Sequence, residues 1–255
     1  MKITVLTLFK EQFDGFLNTS VIKRIIDKGL VEIKIVDIRD YSLDKHRHVD
    51  DTPYGGMAGM LMKVDVLASA IRANKNKNTH VLLTSPKAMP YKEADAYRLL
   101  EKEDIMIVCG HYEGIDARIK DDIDENISIG DYILTGGELA AMVIMDSIMR
   151  LVDEGISSDS LKEESFNDGL LEYEQYTRPY VFEGKEVPFV LTNGNHEEIR
   201  KFNLKSSLKE TYLYRKDLLA NKKLNKEEEE MLKEIIDELE KWYQSIFVWC
   251  WWNTY

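Results

Sequence analysis

"ISIGDYILTGGELAAM", residues 127–142, passes from an apolar, β-branched run through two glycines directly into a helical pattern. Thr135 and Glu138 have the spacing of a capping box, which accounts for a helix start. It does not account for Gly136 and Gly137, because glycine in a helix costs about 1 kcal/mol relative to alanine. Glycine lets another group approach the backbone, and a helix N-terminus offers unpaired N–H donors. The stretch therefore predicts a strand-to-helix turn that contacts a ligand.

Strand-like and helix-like segments alternate on the N-terminal side of this turn. Apolar, β-branched runs occur at 3–9, 31–38, 80–85, 104–110 and 126–134, and helical patterns occur at 16–30, 63–75, 91–103 and 137–152. Such alternation is typical of α/β proteins with a mostly parallel sheet covered by helices. We assign this α/β domain to residues 1–157.

The sequence pattern changes after this domain. Few periodic segments and several turn signals follow, and we assign 158–175 as an interdomain linker. Residues 176–255 are predicted to form a small all-α domain, which ends in a tryptophan-rich stretch to which the pattern assigns no role. Helix starts with capping-box spacing are predicted at Asn195 with Glu198 and at Asn225 with Glu228.

Composition limits the classes of protein that this chain can belong to. It has 255 residues, a formal net charge of −12, two cysteines and no stretch near the ~20 apolar residues of a membrane span. The two cysteines and a first segment too quickly charged for a signal peptide predict a cytoplasmic protein. The acidity argues against nucleic-acid binding only weakly, because 199–209 and 44–48 are locally basic.

Two further segments follow predicted strands directly, "SPKAMP" at 85–90 and "CGHYEGID" at 109–116. If their strands are neighbours, these segments and 128–137 meet at the carboxyl edge of the sheet, where α/β proteins bind ligands. The glycine-rich segment at 49–60 lacks the spacing of a dinucleotide fingerprint and is interpreted as a flexible loop that can cover a site.

Other reactive side chains have ordinary explanations. Cys109 and His111 are interpreted as a buried strand cysteine and a loop histidine rather than as a nucleophile and its base. The segment 46–51, with two histidines and two aspartates, is a weak metal motif, and its basic residues suit RNA better. The carboxylates at 162–179 are mostly solvated charges, of which one near a pocket can serve as a general base.

Taken together, these segments resemble one family, the bacterial tRNA (guanine-N1)-methyltransferases of the TrmD type. The resemblance extends over nearly the whole chain and keeps the order of the segments. The matching stretches are "DDTPYGGMAGMLM", "CGHYEGID", "ISIGDYILTGGELAAM", "GLLEYEQYTRP" and "VPFVLTNGNHEEIRK".

The resemblance implies a SPOUT-type α/β domain with a deep trefoil knot, a C-terminal helical domain that binds tRNA, and a homodimer. It implies S-adenosylmethionine as cofactor, Mg²⁺ as an assisting cation with no residue cluster to fix its site, and 1-methylguanosine at tRNA position 37 as product. Carried over, the residues around the cofactor are Ser85, Pro86, Gly110, Tyr112, Glu113, Gly114, Ile129, Gly130, Tyr132, Leu134, Gly136 and Gly137.

The resemblance also implies two catalytic residues. Glu164 stands where the family has an aspartate before Ser-Phe, and it would take the proton from guanine N1. Arg150 would stabilise the negative charge that builds on O6. The basic segment 199–209, with Arg200, Lys201, Lys205 and Lys209, would hold the tRNA backbone.

Two alternatives stay open at this point. Glutamate in place of aspartate, and His111 in place of the family's arginine, leave room for a catalytically weak homologue that binds tRNA and cofactor without efficient transfer. The second alternative is an acidic interaction protein that uses the α/β fold without binding a cofactor.

Overall fold

The computed structural model describes residues 1–152, 164–166 and 168–252, with side chains described as far as residue 241. The chain forms two compact units, Met1–Leu161 and Lys162–Tyr255. The sequence predicts a domain boundary at residue 157. This position falls within residues 153–163, which lie outside the described part of the chain.

The first unit is built on a parallel sheet whose described strands run in the order β2-β1-β6-β5-β7. A short antiparallel pair, β3 and β4, lies in the loop that follows β2. The strands of this unit are β1 Lys2–Thr7, β2 Glu32–Asp37, β3 Asp50–Asp51, β4 Leu61–Met62, β5 His80–Thr84, β6 Asp104–Val108 and β7 Glu125–Ile127.

Helices cover both faces of this sheet. Ile3, Val5 and Ile105 pack on one face with α2, α4 and α5, whereas Leu6 and Met106 pack on the other face with α3. The alternation follows from the two-residue period of a strand, and burial on both faces explains the continuous apolar runs. The helices are α1 Asp14–Leu17, α2 Ser20–Asp27, α3 Val64–Asn74, α4 Glu93–Leu100 and α5 Glu138–Met149.

The predicted α/β class and mostly parallel sheet are confirmed, and the main difference lies at 126–134. Only Glu125–Ile127 pairs with β5. The chain then turns at Gly130, whose φ of +148° is a conformation that L side chains rarely adopt. The apolar residues after Ile127 therefore form a loop at the end of the sheet instead of a longer strand.

The second unit is mainly helical. It contains α6 His196–Tyr214, α7 Lys216–Asn221 and α8 Lys226–Trp252, so the tryptophan-rich stretch continues the last helix. Leu170, Leu208 and Ile235 form its buried core. Residue 170, which we expected in a linker, therefore packs inside this unit.

Both predicted helix starts in this unit are confirmed. The Asn195 side chain accepts hydrogen bonds from the backbone N–H groups of Glu197 and Glu198 at the start of α6. Asn225 and Glu228 form a reciprocal box before α8, with N···O distances of 2.7 and 3.0 Å.

A hairpin, β8 Val181–Phe182 and β9 Lys185–Glu186, precedes these helices, so the unit is not all-α as the sequence predicted. Its two-residue loop, Glu183 and Gly184, has positive φ at both positions, as a type I′ turn requires. The Glu-Gly pair between two short β-prone runs is the sequence signal for this hairpin.

No helix among the described residues has the length and apolar character needed to cross a membrane.

Asp122 joins α3 to the 3₁₀ turn Ala117–Asp122 and provides a test of stability. Its side chain is 8% exposed and lies 2.6 Å from Arg72 Nη2 and 3.1 Å from Lys75 Nζ. The hydrogen bond from Arg72 lowers the pKa of Asp122, so its stabilisation is present above the unfolded pKa and is lost as pH falls through the lower folded value.

We expect Asp122→Asn to lower the free energy of unfolding at pH 7 by about 1 kcal/mol, since Arg72 is largely exposed to solvent. Urea unfolding of both proteins at a series of pH values from 7 to 2 measures this free energy. The difference from the unsubstituted protein should shrink below about pH 4. A difference that persists unchanged at pH 2 contradicts the assignment.

Candidate functional site

Three loops meet at the carboxyl edge of the sheet, after β5, β6 and β7. Backbone bridges join Pro90 to Ser128 and His111 to Gly136. The segment 128–137 is therefore bonded to both of the other loops. This juxtaposition is the one that the sequence predicted, and it places the loops where α/β proteins bind ligands.

Gly137 lies against the ends of β5 and β6 and has no room for a side chain. Its N–H donates to Gly110 O at 2.8 Å. A Cβ on Gly137 would overlap Thr84 Oγ1 and would lie 2.9 Å from Cys109 Cα. The space in front of this glycine is filled by the protein's own atoms. Close packing therefore explains Gly137, and a cofactor contact there stays a prediction.

The capping box predicted for Thr135 and Glu138 is wrong. Helix α5 begins with Gly137 as its N-cap and with no side-chain cap. Glu138 is 2% exposed and accepts a hydrogen bond from Thr7 Oγ1 at 2.8 Å. Thr7 Oγ1 in turn accepts from the N–H of Phe9 at 2.9 Å. The carboxylate thus joins the start of α5 to the end of β1.

His111 packs close to Gly136. A Cβ on Gly136 would overlap Glu138 Oε2 and lie 2.7 Å from His111 Cδ2. Within the described residues, His111 Nδ1 is buried without a hydrogen-bond partner. An unpaired buried polar atom costs free energy, so a ligand group that bonded to it would stabilise the site.

The glycine-rich loop at 49–60 is tied to the second of the three loops. The N–H of Glu113 donates to Met60 O at 3.1 Å, and the N–H of Met62 donates to Gly114 O at 3.0 Å. A Cβ on Gly59 would overlap the Glu113 side chain. This loop therefore borders the candidate site, beside Glu113.

The residues predicted to surround a cofactor all lie in the three loops. Tyr112 and Tyr132 expose 40% and 55% of their surface, and burial raises the pKa of the Tyr112 phenol, which keeps its O–H protonated. Their contact with a ligand stays a prediction. The set is Ser85 and Pro86 in the first loop, Gly110, Tyr112, Glu113 and Gly114 in the second, and Ile129, Gly130, Tyr132, Leu134, Gly136 and Gly137 in the third.

The structure also describes the surroundings of Cys109 and of the histidines at 46–51. Cys109 is fully buried, and burial raises the pKa of its thiol, which favours the protonated form at neutral pH. His48 pairs with Asp44. Across the described residues, no group of three or more His, Cys, Asp or Glu side chains is placed to hold a metal ion.

The two predicted catalytic residues belong to different units. Arg150 follows the last residue of α5, and its Nη1 lies 3.6 Å from Glu93 Oε1. Glu164 lies in the second unit and lines a cavity of about 350 Å³, a size typical of small-ligand sites. Asp168 also lines this cavity and pairs with Lys222 at 3.0 Å. Glu163, another of the carboxylates at 162–179 that can serve as a general base, lies outside the described residues.

Comparison with known proteins decides the family. The family model described as "tRNA (Guanine-1)-methyltransferase TrmD" matches residues 1–221. The chain belongs to this family. TrmD-family relatives named tRNA (guanine-N(1)-)-methyltransferase share 48% identity in Dictyoglomus turgidum, 50% in Syntrophomonas wolfei and 46% in Fusobacterium nucleatum. These matches cover 92–94% of this chain and 97–99% of the relatives.

The resemblance seen in the motifs is thereby confirmed. The TrmD-family match includes the three loops, Arg150 and Glu164, and it ends before α8. Sequence reasoning missed the roles of Thr7, Thr84 and Glu138. The available signal was Thr7, a polar residue inside the apolar run "ITVLTLF". A polar side chain in such a run is expected to be buried and hydrogen-bonded, and Thr7 is 0% exposed.

We expect Gly137→Ala to lower the free energy of unfolding by about 1–3 kcal/mol, because the added Cβ overlaps Thr84 in a packed site. Urea unfolding followed by far-UV circular dichroism measures the change. Gly15→Ala is the matched control, since a Cβ there meets nothing within 4 Å, and its stability should stay equal or rise. If Gly137→Ala and the unsubstituted protein have the same midpoint of urea unfolding, the packing argument is wrong.

Proposed function

We propose that this chain methylates N1 of the guanine at position 37 of tRNA, just 3′ of the anticodon. Membership of the TrmD family and relatives named for this reaction support the enzyme class. The observation that carries the proposal is the meeting of the three loops around Gly110, Ser128 and Gly136 at the carboxyl edge of the sheet. A tRNA substrate also favours the cytoplasmic location expected from the sequence.

The loops fit S-adenosylmethionine, which supplies the methyl group when bound. Ile129 and Leu134 offer apolar contacts, and Gly130 turns the chain between them with a φ of +148°, close to the Tyr132 ring. His111 Nδ1, which lacks a partner among the described residues, offers a hydrogen-bonding position beside them. Apolar walls with a few polar atoms are typical of cofactor sites.

Glu164 is proposed as the general base. Guanine N1 carries a proton at neutral pH and is a weak nucleophile until a carboxylate removes it. Glu164 lines a cavity in the second unit, so its carboxylate has access to a space that can admit a base. Asp168 lines the same cavity and pairs with Lys222 at 3.0 Å.

Arg150 is proposed to stabilise the negative charge that moves to O6 as N1 loses its proton. The guanidinium is planar and permanently charged, which suits a developing oxyanion. Its contact with Glu93 holds the end of the side chain in the first unit. The same helix, α5, thus begins at the three loops and ends at this arginine.

A second copy of the chain is proposed to cover α5. This helix is apolar on nearly all sides, yet Leu139 and Val143 expose 53% and 48% of their surface. Ile133, just before the helix, is 82% exposed. Helices that are apolar all round are normally buried, and contiguous exposed apolar residues mark interfaces. A dimer lets one copy's loops meet the other copy's Glu164.

We also propose that the first unit contains the deep trefoil knot that the family resemblance implies, and that 128–137, which is bonded to the loops after β5 and β6, is part of it. The proposal keeps the predicted domains, which are 1–157 and the helical 176–255. It also keeps the tRNA-binding role of the second domain and the Mg²⁺ requirement.

Glu164→Gln should lower methyl transfer by about 10²–10⁴-fold while the Kd for S-adenosylmethionine stays unchanged. The assay uses unmodified tRNA with guanosine at position 37, identifies 1-methylguanosine by mass spectrometry, and measures cofactor affinity by calorimetry. Asp168→Asn is the matched control and should retain most of the activity. Full turnover by Glu164→Gln would overturn the base assignment. Cofactor binding without any product in the unsubstituted protein would favour the weak homologue.

Val143→Glu should convert the dimer to a monomer and abolish transfer, because it places a charge in the apolar face of α5. Light scattering after size-exclusion chromatography measures the molar mass. Leu43→Glu is the control, since Leu43 is fully exposed on another surface of the first unit. A Val143→Glu protein that stays dimeric at micromolar concentration rules out this interface.

A further inference from the structure

Helix α6 carries a row of cations on one face. Lys201, Lys205 and Lys209 stand four residues apart, which places them above one another on the helix surface. Arg200 lies beside the start of the row. This row looked from the sequence like a continuous phosphate-binding face.

Acidic side chains neutralise the first half of the row. Arg200 donates to both oxygens of Glu197 at 3.0 and 3.1 Å and to both oxygens of Glu227 at 2.7 and 3.2 Å. These bonds raise the pKa of Arg200 and lower the pKa of each glutamate. Lys201 lies 3.4 Å from the same Glu197. A phosphate that approached these cations would have to displace carboxylates.

Lys205 is also neutralised, by helix α8. Its Nζ lies 3.3 Å from Glu234 Oε2 and 3.0 Å from Glu238 Oε1. The hydrogen bond to Glu238 raises the pKa of Lys205. Two carboxylates on one ammonium leave a net negative charge at this point of the surface, which repels phosphate.

The acidic residues of α8 end before the row of cations does. After Glu240 the remaining sequence, 242–255, contains no aspartate or glutamate. Among the described residues, no carboxylate lies within ion-pair distance of the exposed Lys209. The row therefore finishes in a lysine with an uncompensated charge.

A second exposed lysine lies near this end of the helix. Lys216 Nζ lies 4.3 Å from the centre of the Tyr212 ring, and Tyr212 stands one turn after Lys209. The nearest acid in sequence, Asp217, is bonded instead by Arg215 at 2.7 and 2.9 Å. An aromatic ring holds an ammonium in place without neutralising it. Lys216 thus also keeps its charge available.

We infer that the RNA backbone binds at the Lys209–Lys216 patch, which consists of Lys209, Tyr212 and Lys216, and not at the neutralised row of Arg200, Lys201 and Lys205. The inference rests on the proposed function, which makes tRNA the partner. Lysine and arginine side chains that contact phosphates give affinity because they release the counterions condensed on the RNA. A cation that already pairs with a carboxylate must first break that ion pair, whereas an unpaired cation binds phosphate without this cost. A ring beside two lysines also suits single-stranded nucleotides.

The test is the salt dependence of RNA binding by the full chain. A fluorescein-labelled anticodon stem–loop is titrated with protein from 50 to 200 mM KCl and followed by anisotropy. Lys209→Gln and Lys216→Gln should each weaken binding about three- to tenfold at 50 mM and reduce the slope of log K against log salt by about 0.7–0.9. Both side chains are exposed, so folding should be unaffected.

The matched control removes a cation and its partner together. Lys205→Gln with Glu238→Gln leaves the net charge unchanged and should leave affinity and slope as they are. Glu234→Gln with Glu238→Gln removes both carboxylate partners of Lys205. This double variant should bind RNA more tightly, and its slope of log K against log salt should become steeper by the amount that one phosphate contact contributes.

The inference is overturned if Lys209→Gln and Lys216→Gln bind with unchanged slope, or if the Lys205–Glu238 double variant loses as much affinity as they do. A methylation assay at saturating tRNA separates this result from failure of the proposed function. Lys209→Gln should reach the full turnover number there, with only KM raised. An unsubstituted protein that makes no 1-methylguanosine would overturn the reaction, whereas unaltered KM in both lysine variants would overturn the patch alone.

Discussion

The first unit depends on one close approach of backbone to backbone. The N–H of Gly137 donates to Gly110 O while the Cα of Gly137 packs against Thr84 and Cys109. This contact sets where α5 begins, and it holds the loop after β7 on the loop after β6. Because α5 is one rigid helix, the same contact also determines where Arg150 lies at its other end. A single methyl group at residue 137 would disturb all of these relations.

Much of the first unit was predictable because parallel strands buried on both faces leave a strong pattern in sequence. The runs that form β1, β5 and β6 are nearly continuous in apolar residues, and helical periods separate them. The helix caps of the second unit were predictable because their bonds are local. The side chains of Asn195 and Asn225 accept hydrogen bonds from residues within one turn.

The errors occurred where long-range contacts override local rules. Glu138 has the right spacing to cap its own helix, but its carboxylate bonds to Thr7, which is 131 residues away in sequence. No spacing rule reports such a partner. Gly137 is similar: the sequence indicates that something comes close to it, and only the fold shows that the neighbour is Thr84. The ion pairs of the basic segment on α6 were also hidden from local rules, because Glu227 and Glu238, which bond to Arg200 and Lys205, come from α8.

The position of β1 in the sheet has a consequence for how the chain is made. This strand pairs with β2 on one edge and with β6 on the other, so its register with Asp104–Val108 spans about a hundred residues. A ribosome that adds 5–20 residues per second needs roughly 4–14 s to pass from the end of β2 to the end of β6. Throughout that interval one edge of an apolar strand has exposed, unpaired N–H and C=O groups. The nascent chain is therefore most exposed to wrong pairing before Val108 emerges, and helper proteins that shield strand edges would act in that interval.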